Sequence, residues 1–199
     1  MSQDFAARNS LARERAVRDW SSSAAAETPW DARADARVLV PLRVGDVVLD
    51  LTSGDRTPTF LAASIVGENG RVVGVEEDLA ALAGARRAAA VVAERLGYAN
   101  VDFVRGRSDD LTLDPDLLDA WLDAHPVRSA DDMTQLAREI ARLRREAPLV
   151  PDRSFDAVIT GFETDPAAAA KQRIVAQEIA RVLRPGGRIV RWDRARSRS

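Results

Sequence analysis

The pattern of apolar and polar residues changes near residue 44. Before that point the chain is polar and rich in Ala and Arg, and its sparse apolar positions predict helices over 5–20 and 31–40. Beyond it, short continuous apolar runs alternate with longer segments of helical periodicity. Such runs are typical of strands buried on both faces, so the alternation predicts a parallel sheet covered by helices.

Five apolar runs predict strands, because each ends in a cluster of turn-forming or charged residues. They cover 47–51, 71–76, 101–104, 155–160 and 188–192, and the helices between them cover 58–66, 78–96 and 166–183. Residues 111–150 interrupt this order with two charged helical segments, 114–124 and 130–146, which prolines separate. We therefore predict a helical N-terminal leader over 1–41 and an α/β domain over 42–199, with a helical insertion over 111–150 at the C-terminal edge of the sheet.

The composition excludes several classes of function. With 199 residues, 46% of them hydrophobic, the chain suffices for one domain with a sizeable core. It has no cysteine and a single histidine, His125, which excludes disulfides, a cysteine nucleophile and a multi-histidine metal site. The formal net charge of -2 offers no basic field to attract nucleic acid.

The same sequence gives an expectation for location. No apolar run approaches the roughly 20 residues that span a bilayer, and the first residues do not resemble a signal peptide. Arg supplies nearly all the basic residues, a bias that is typical of GC-rich genomes, and we give isolated arginines little weight for that reason. We expect a cytoplasmic, bacterial protein with no metal, and with neither a membrane nor nucleic acid as a partner.

Acidic residues follow the first three predicted strands. In an open α/β sheet, ligands bind beyond the carboxyl ends of the strands, where the strand order reverses. Asp50 ends the first strand, Glu76 and Glu77 end the second, and Asp109 follows the third. An acid after the second strand can accept two hydrogen bonds from a ribose diol, and one after the third can accept from an exocyclic amine. The pattern therefore indicates a nucleoside-binding site.

The segments VLDLTSGD, VVGVEED, NVDFVRGRSDDL, SFDAVIT and EIARVLRPGGRIV, in this order, resemble the class I S-adenosylmethionine-dependent methyltransferases over roughly residues 42–193. LGYANVDFVRGRSDDL and the insertion are similar to the arsenite-methyltransferase-like subgroup. The resemblance implies a Rossmann-like three-layer sandwich with a mostly parallel five-stranded sheet in the order 3-2-1-4-5. It also implies S-adenosylmethionine as the cofactor.

The resemblance further implies residue roles. Asp50 would help to fix the methionine end of the cofactor, Gly54 would let the backbone approach it, and Glu76 would bind the ribose hydroxyls. The full set of cofactor-binding residues that we predict is Asp50, Thr52, Gly54, Glu76, Glu77, Ser108, Asp109 and Thr160. No catalytic residue is assigned, and Glu163 and Asp165 are the nearest candidate bases for an oxygen or nitrogen acceptor.

The chain also departs from the family pattern. Thr52 replaces the first glycine of a loop that usually reads DLGSGSG, and Asp55-Arg56 replaces its last pair. Phe162 stands where the subgroup has a cysteine, so arsenite methylation through thiolate capture is not expected. The final antiparallel hairpin of the family is missing, which would leave the fifth strand as an exposed apolar edge. A homodimer, a partner subunit or the leader would then cover this edge.

Three interpretations follow. The first is an S-adenosylmethionine-dependent methyltransferase that acts on an unidentified, small-molecule acceptor. The second is a catalytically degenerate methyltransferase-like subunit that pairs with another chain through its fifth strand; the altered loop favours it, and the retained Asp50, Glu76 and Asp109 oppose it. The third, an NAD-binding protein, has the ribose acid but lacks a GxGxxG motif.

Overall fold

The computed structural model describes residues 39, 41–52, 54, 56–161 and 168–192. Apart from Leu39, which is buried in the core, both predicted leader helices lie outside these residues, as do Asp55, Phe162, Glu163 and Asp165. The division of the chain at residue 41 stays a prediction. The described strands and helices, in chain order, are β1 (Val47–Asp50), α1 (Thr57–Val66), β2 (Arg71–Glu76), α2 (Leu79–Leu96), β3 (Val101–Arg105), α3 (Pro115–Ala124), α4 (Ala130–Glu146), β4 (Phe155–Gly161), α5 (Ala169–Val182) and β5 (Leu183–Trp192).

The five strands form one sheet in the order β3-β2-β1-β4-β5, which confirms the predicted order. Neighbouring strands are parallel throughout. β1 lies at the centre, where Asp50 is level with Gly74 of β2 on one side and with Ile159 of β4 on the other. The strand order therefore reverses between β1 and β4, and their carboxyl ends flank the crevice in which sheets of this type bind ligands.

The core consists of two layers, one on each face of the sheet. Successive strand residues point to opposite faces. Val48 accordingly belongs to a buried cluster with Leu61 and Ile65 of α1. Its neighbour Leu49 packs with Ile179 and Val182 of α5 on the other face. Helices on both faces give the predicted three-layer sandwich.

The inserted helices lie where the charged segments predicted them. α3 has no buried residue, and α4 buries only Leu143. Arg105 at the end of β3 forms ion pairs with Asp116 and Asp119 of α3. Arg144 of α4 forms an ion pair with Asp110, 2.6 Å away. Ion pairs thus connect both inserted helices to the carboxyl end of β3, and the two ends of the insertion, Leu111 and Val150, are buried in the core.

The fifth strand is longer than the sequence predicted. β5 begins at Leu183, directly after α5 ends at Val182, so the Pro-Gly-Gly segment belongs to the strand. Leu183 pairs with Phe155 and Arg188 pairs with Ala157, so three extra residues of β5 form a bulge. Gly186 in this bulge has a φ of +78°, a conformation that favours glycine. Proline and glycine normally interrupt strands, and the prediction therefore started the strand too late.

The outer edge of β5 has no strand partner within the part of the chain that the structure describes. Ile189 on this strand is 55% exposed. A groove of about 450 Å³ lies between α5 and β5, lined in part by Ala176, Ala180 and Leu183. This groove is at the edge of the sheet and does not include any residue of the predicted cofactor site.

Candidate cofactor site

β1 carries Asp50 to the crevice between β1 and β4, where its side chain is only 3% exposed. Oδ1 accepts hydrogen bonds from the backbone N–H of Thr52, at 2.8 Å, and from its hydroxyl, at 2.6 Å. Oδ2 accepts from the Thr59 hydroxyl, at 2.5 Å. A buried carboxylate is costly unless such donors surround it. The carboxylate therefore joins the end of β1 to the loop that follows and to the first turn of α1.

Thr59 was not among the predicted residues. It lies on α1, which is buried from Pro58 to Val66. A hydroxyl among mostly apolar residues was the one sign in the sequence that this position has a polar contact. Its side chain is 1% exposed and points at Asp50. Thr59 is therefore part of the site's framework, although nothing in the local pattern indicates which way its hydroxyl points.

The loop after β1 accommodates Thr52 in place of the first glycine of the family pattern. Among the described non-glycine residues, only Arg153 has a positive φ, so Thr52 adopts an ordinary backbone conformation. Gly54 has a φ of +82°, where a side chain would cost on the order of 1–2 kcal/mol. Apart from the chain neighbours of Gly54, no atom of the described residues lies within 4 Å of the position of a Cβ there, so these residues leave the space beside it open. Thr52 thus replaces glycine without backbone strain, and its hydroxyl fixes Asp50.

Glu76, at the end of β2, joins two backbone segments. Its Oε2 accepts from the N–H of Gly54 and its Oε1 accepts from the N–H of Asp78, each at 3.1 Å. A carboxylate has about four acceptor positions, so each oxygen retains one for a further donor. Gly54, in the loop after β1, and Glu76, at the end of β2, are therefore in direct contact, and the Glu76 carboxylate keeps acceptor positions for further donors.

Asp109, in the turn after β3, is held by an arginine that the sequence analysis did not single out. Arg107 donates from Nε to Oδ1, at 3.0 Å, and from Nη2 to Oδ2, at 2.9 Å. Its Nη1 lies 3.3 Å from the carboxylate of Glu77, which follows β2. The hydrogen bonds from Arg107 lower the pKa of Asp109, and the positive charge of Lys171 acts in the same direction. Asp109 is therefore ionised, and Arg107 links it to Glu77.

Residues 42–195 match the model of a methyltransferase domain family. The chain belongs to this family. Among curated proteins, it is 31% identical over 138 residues to a 2-phytyl-1,4-naphtoquinone methyltransferase of Synechococcus elongatus, over 64% of this chain and 58% of that protein. It is 42% identical over 67 residues to an arsenite methyltransferase of Aquipseudomonas alcaligenes, over 34% of this chain and 19% of that protein.

Among solved structures, the methyltransferase domain matches an arsenic(III) S-adenosylmethionine methyltransferase of Chlamydomonas reinhardtii. The TM-score is 0.50 and the sequence identity 26%, over 89% of this chain and 47% of that one. The chain spans about half the length of these relatives, 58% of the quinone methyltransferase and 47% of the algal enzyme. The predicted membership of the superfamily and the affinity to arsenite methyltransferases are confirmed, and S-adenosylmethionine is the cofactor that these findings support.

The remaining predicted residues of the methyltransferase domain lie at the same edge of the sheet. Ser108 is half-buried between Arg107 and Asp109 in the turn after β3. Thr160 is half-buried at the end of β4, and its hydroxyl lies 3.3 Å from the Gly161 carbonyl. The structure thus groups Asp50 with Thr52, Gly54 with Glu76, and Glu77 with Asp109. The role of each in cofactor binding stays a prediction.

Two other predicted features can be placed. Arg56, which we expected beside Asp55, extends its guanidinium along α2, with Nη2 3.4 Å from the position that a Cβ on Gly84 would occupy. His125 is exposed, stacks on Trp121 with ring centroids 4.5 Å apart, and contacts the Trp121 carbonyl through Nδ1. No group of three or more potential metal ligands occurs in the described ranges. No helix within them is long and apolar enough to cross a membrane.

Proposed function

We propose that this methyltransferase domain binds S-adenosylmethionine at the carboxyl ends of β1, β2 and β3 and transfers its methyl group to a small-molecule acceptor. The observation that carries the proposal is the position of Glu76. Its carboxylate holds the backbone of Gly54 and Asp78 and keeps acceptor capacity for a ribose diol. The open space at Gly54, beside the same carboxylate, supports the fit of a nucleoside there.

The proposed roles follow from the contacts. Glu76 accepts the two ribose hydroxyls, and Asp109 accepts from the exocyclic amine of the adenine ring. The carboxylate of Asp50 is engaged by Thr52 and Thr59, so it acts by holding the loop in place. The backbone of that loop then faces the methionine end of the cofactor. In this assignment the Thr52 hydroxyl and N–H, through Asp50, position the loop. In the family pattern a glycine backbone has this function.

The chemistry requires alignment more than acid–base catalysis. When held by Glu76 at its ribose and by Asp109 at its adenine, S-adenosylmethionine would supply an electrophilic methyl carbon for in-line transfer to an acceptor lone pair, with sulfur as the leaving group. Asp50 and Glu76 contribute by keeping the loops that follow β1 and β2 at fixed positions at the carboxyl ends of these strands. Orientation of reactants can supply several kcal/mol of the barrier, so no strong base at the described strand ends is needed.

The acceptor class rests on two observations. The chain has no cysteine, so thiolate capture of arsenite has no ligand here. A curated relative is named for a naphthoquinone substrate, which supports an organic small molecule as acceptor.

A cytoplasmic location and a partner or second copy at the outer edge of β5 remain part of the proposal. The degenerate, non-catalytic subunit finds no support in the comparisons.

The test is calorimetric titration of the purified protein with S-adenosylmethionine and S-adenosylhomocysteine. The Glu76→Ala variant removes the diol acceptor, and Glu68→Ala, an exposed acid in the turn after α1, is the matched control. A hydrogen bond to a charged group contributes about 1.5–3 kcal/mol, so Glu76→Ala should weaken binding by at least about tenfold. Absence of both heat and a thermal shift for the wild type at millimolar cofactor would refute the proposal.

A further inference from the structure

Arg107 joins the two loops that flank the proposed nucleoside site. It contributes two of its donors to Asp109, at 3.0 and 2.9 Å, and a third to Glu77, at 3.3 Å. The Asp109 side chain is 16% exposed, whereas that of Arg107 is 55% exposed. A guanidinium that forms two parallel hydrogen bonds to one carboxylate fixes its orientation, which a lysine ammonium cannot do.

The turn that carries Arg107 is itself held in place. Gly106 N–H donates to the Glu76 carbonyl, at 3.1 Å, and Asp110 N–H donates to the Arg107 carbonyl, at 3.2 Å. A Cβ on Gly106 would lie 2.4 Å from Cδ2 of Leu149, so a larger residue here would require the Leu149 side chain to move. These hydrogen bonds hold the backbone of the turn against the end of β2. They thereby fix the position of the Arg107 backbone relative to Asp109.

We infer that Arg107 is a positioning residue that orients Asp109 and thereby gives the site its preference for a 6-amino purine over a 6-oxo purine. This inference rests on the proposed function. With one acceptor position of each oxygen taken by Arg107, the remaining positions of Asp109 face away from the guanidinium. An amine can donate to them. A carbonyl oxygen at the same place would face the carboxylate oxygens of Asp109, which have no proton to donate.

The charge state of Asp109 supports this assignment. Hydrogen bonds from Arg107 lower the pKa of Asp109, so the carboxyl stays deprotonated and acts only as an acceptor. The other charged groups around it are Glu77, which contacts Arg107, and Asp110, which pairs with Arg144. Lys171 at the start of α5 adds a positive charge on the same side. Loss of Arg107 would free Asp109 to rotate and to take up a proton more readily.

The experiment compares 5′-methylthioadenosine with 5′-methylthioinosine, which differ in the amine or carbonyl at position 6. Calorimetric affinities are measured for the wild type, Arg107→Gln, Arg107→Lys and the control Arg87→Gln, an exposed arginine of α2. A polar site that loses its matching group discriminates strongly, and we expect the wild type to prefer the adenosine by more than about tenfold. Arg107→Gln should reduce this ratio by at least about fivefold, and Arg107→Lys should restore part of it.

Each possible change in the ratio of the two affinities either supports or overturns the inference. A purely structural role of Arg107 would weaken both nucleosides equally, and an unchanged ratio in a folded Arg107→Gln variant would overturn the inference. Tighter binding of the adenosine by that variant would overturn it too, because Arg107 would then compete with the ligand. If S-adenosylmethionine binds in a Glu76-dependent way while the ratio is unchanged, only the inference fails. If the wild type binds no cofactor, the proposed function fails with it.

Discussion

Replacement of Thr59 by valine tests whether the buried carboxylate of Asp50 depends on its hydroxyl donor. The two side chains are 1% and 3% exposed, and Thr59 donates to Oδ2. Valine keeps the shape of threonine and removes only the donor. A hydrogen bond to a charged group contributes about 1.5–3 kcal/mol, and the loss of one partner leaves the buried acceptor unsatisfied. We expect Thr59→Val to lower the free energy of unfolding by about 2 kcal/mol.

The matched variant is Thr59→Ser, which keeps the donor and removes one methyl group. Its expected cost is about 0.8 kcal/mol for the buried methyl, with a small addition for the cavity. The same pair in an Asp50→Asn background completes a double-mutant cycle. Because a neutral amide needs the hydroxyl less, Thr59→Val should cost at least about 1 kcal/mol less there.

The assay is urea unfolding followed by tryptophan fluorescence, since Trp192 is 3% exposed and reports on the core. For a chain of this size, about 2 kcal/mol also corresponds to a fall of roughly 4–8 °C in Tm. A Thr59→Val variant as stable as Thr59→Ser would refute the reasoning. So would an equal cost of Thr59→Val in the wild-type and Asp50→Asn backgrounds, because the hydroxyl would then act through something other than the carboxylate.

Two further predictions concern packing and pH. A Cβ on Gly74 would lie 2.4 Å from Cε1 of Phe103, which is buried edge-on against Phe60, so Gly74→Ala should cost about 1–3 kcal/mol by urea unfolding. Gly161→Ala, where a Cβ meets no atom of the described residues within 4 Å, should cost less than about 0.5 kcal/mol, and equal costs would contradict the steric argument. Arg107 lowers the pKa of Asp109 below its ordinary value of 3.8, so the folded state holds fewer protons than the unfolded state near that pH. The stability difference between wild type and Arg107→Gln should therefore be full above about pH 4, decline below it, and vanish once the pH falls below the lowered pKa. A difference that stays constant from neutral pH to pH 3 in urea titrations would contradict this linkage.

The local sequence predicted the bounds of a helix or strand well where residues that begin and end such elements, such as a capping acid or a turn-forming glycine, stand at both ends. β2 and α4 have the predicted bounds, and Asp78 caps α2 by accepting from the Ala81 N–H at 2.6 Å. β5 was predicted too short because Pro-Gly-Gly normally indicates a turn, and the local sequence does not show that a bulge can keep it in the sheet. The end of a strand can thus depend on its partner strand.

The sequence predicted which strand ends meet, because topology alone brings the carboxyl ends of parallel strands to one edge of the sheet. That principle placed Asp50, Glu76 and Asp109 at one edge of the sheet, and the structure has them there. It did not reveal Thr59 or Arg107. A hydroxyl on an apolar helix has the same pattern whether it faces a carboxylate or packs its methyl group, and only the position of α1 over β1 decides. Arg107 was one arginine among many in an Arg-rich chain.

The reversal of strand order between β1 and β4 has a consequence for biosynthesis. The backbone N–H of Val47 donates to Asp156, which lies 109 positions further along the chain. β1, β2 and β3 pair across short crossovers, whereas this contact between β1 and β4 spans 109 positions. The second wall of the crevice exists only after β4 has been synthesised. A nascent chain therefore cannot complete the crevice until β4 has been translated.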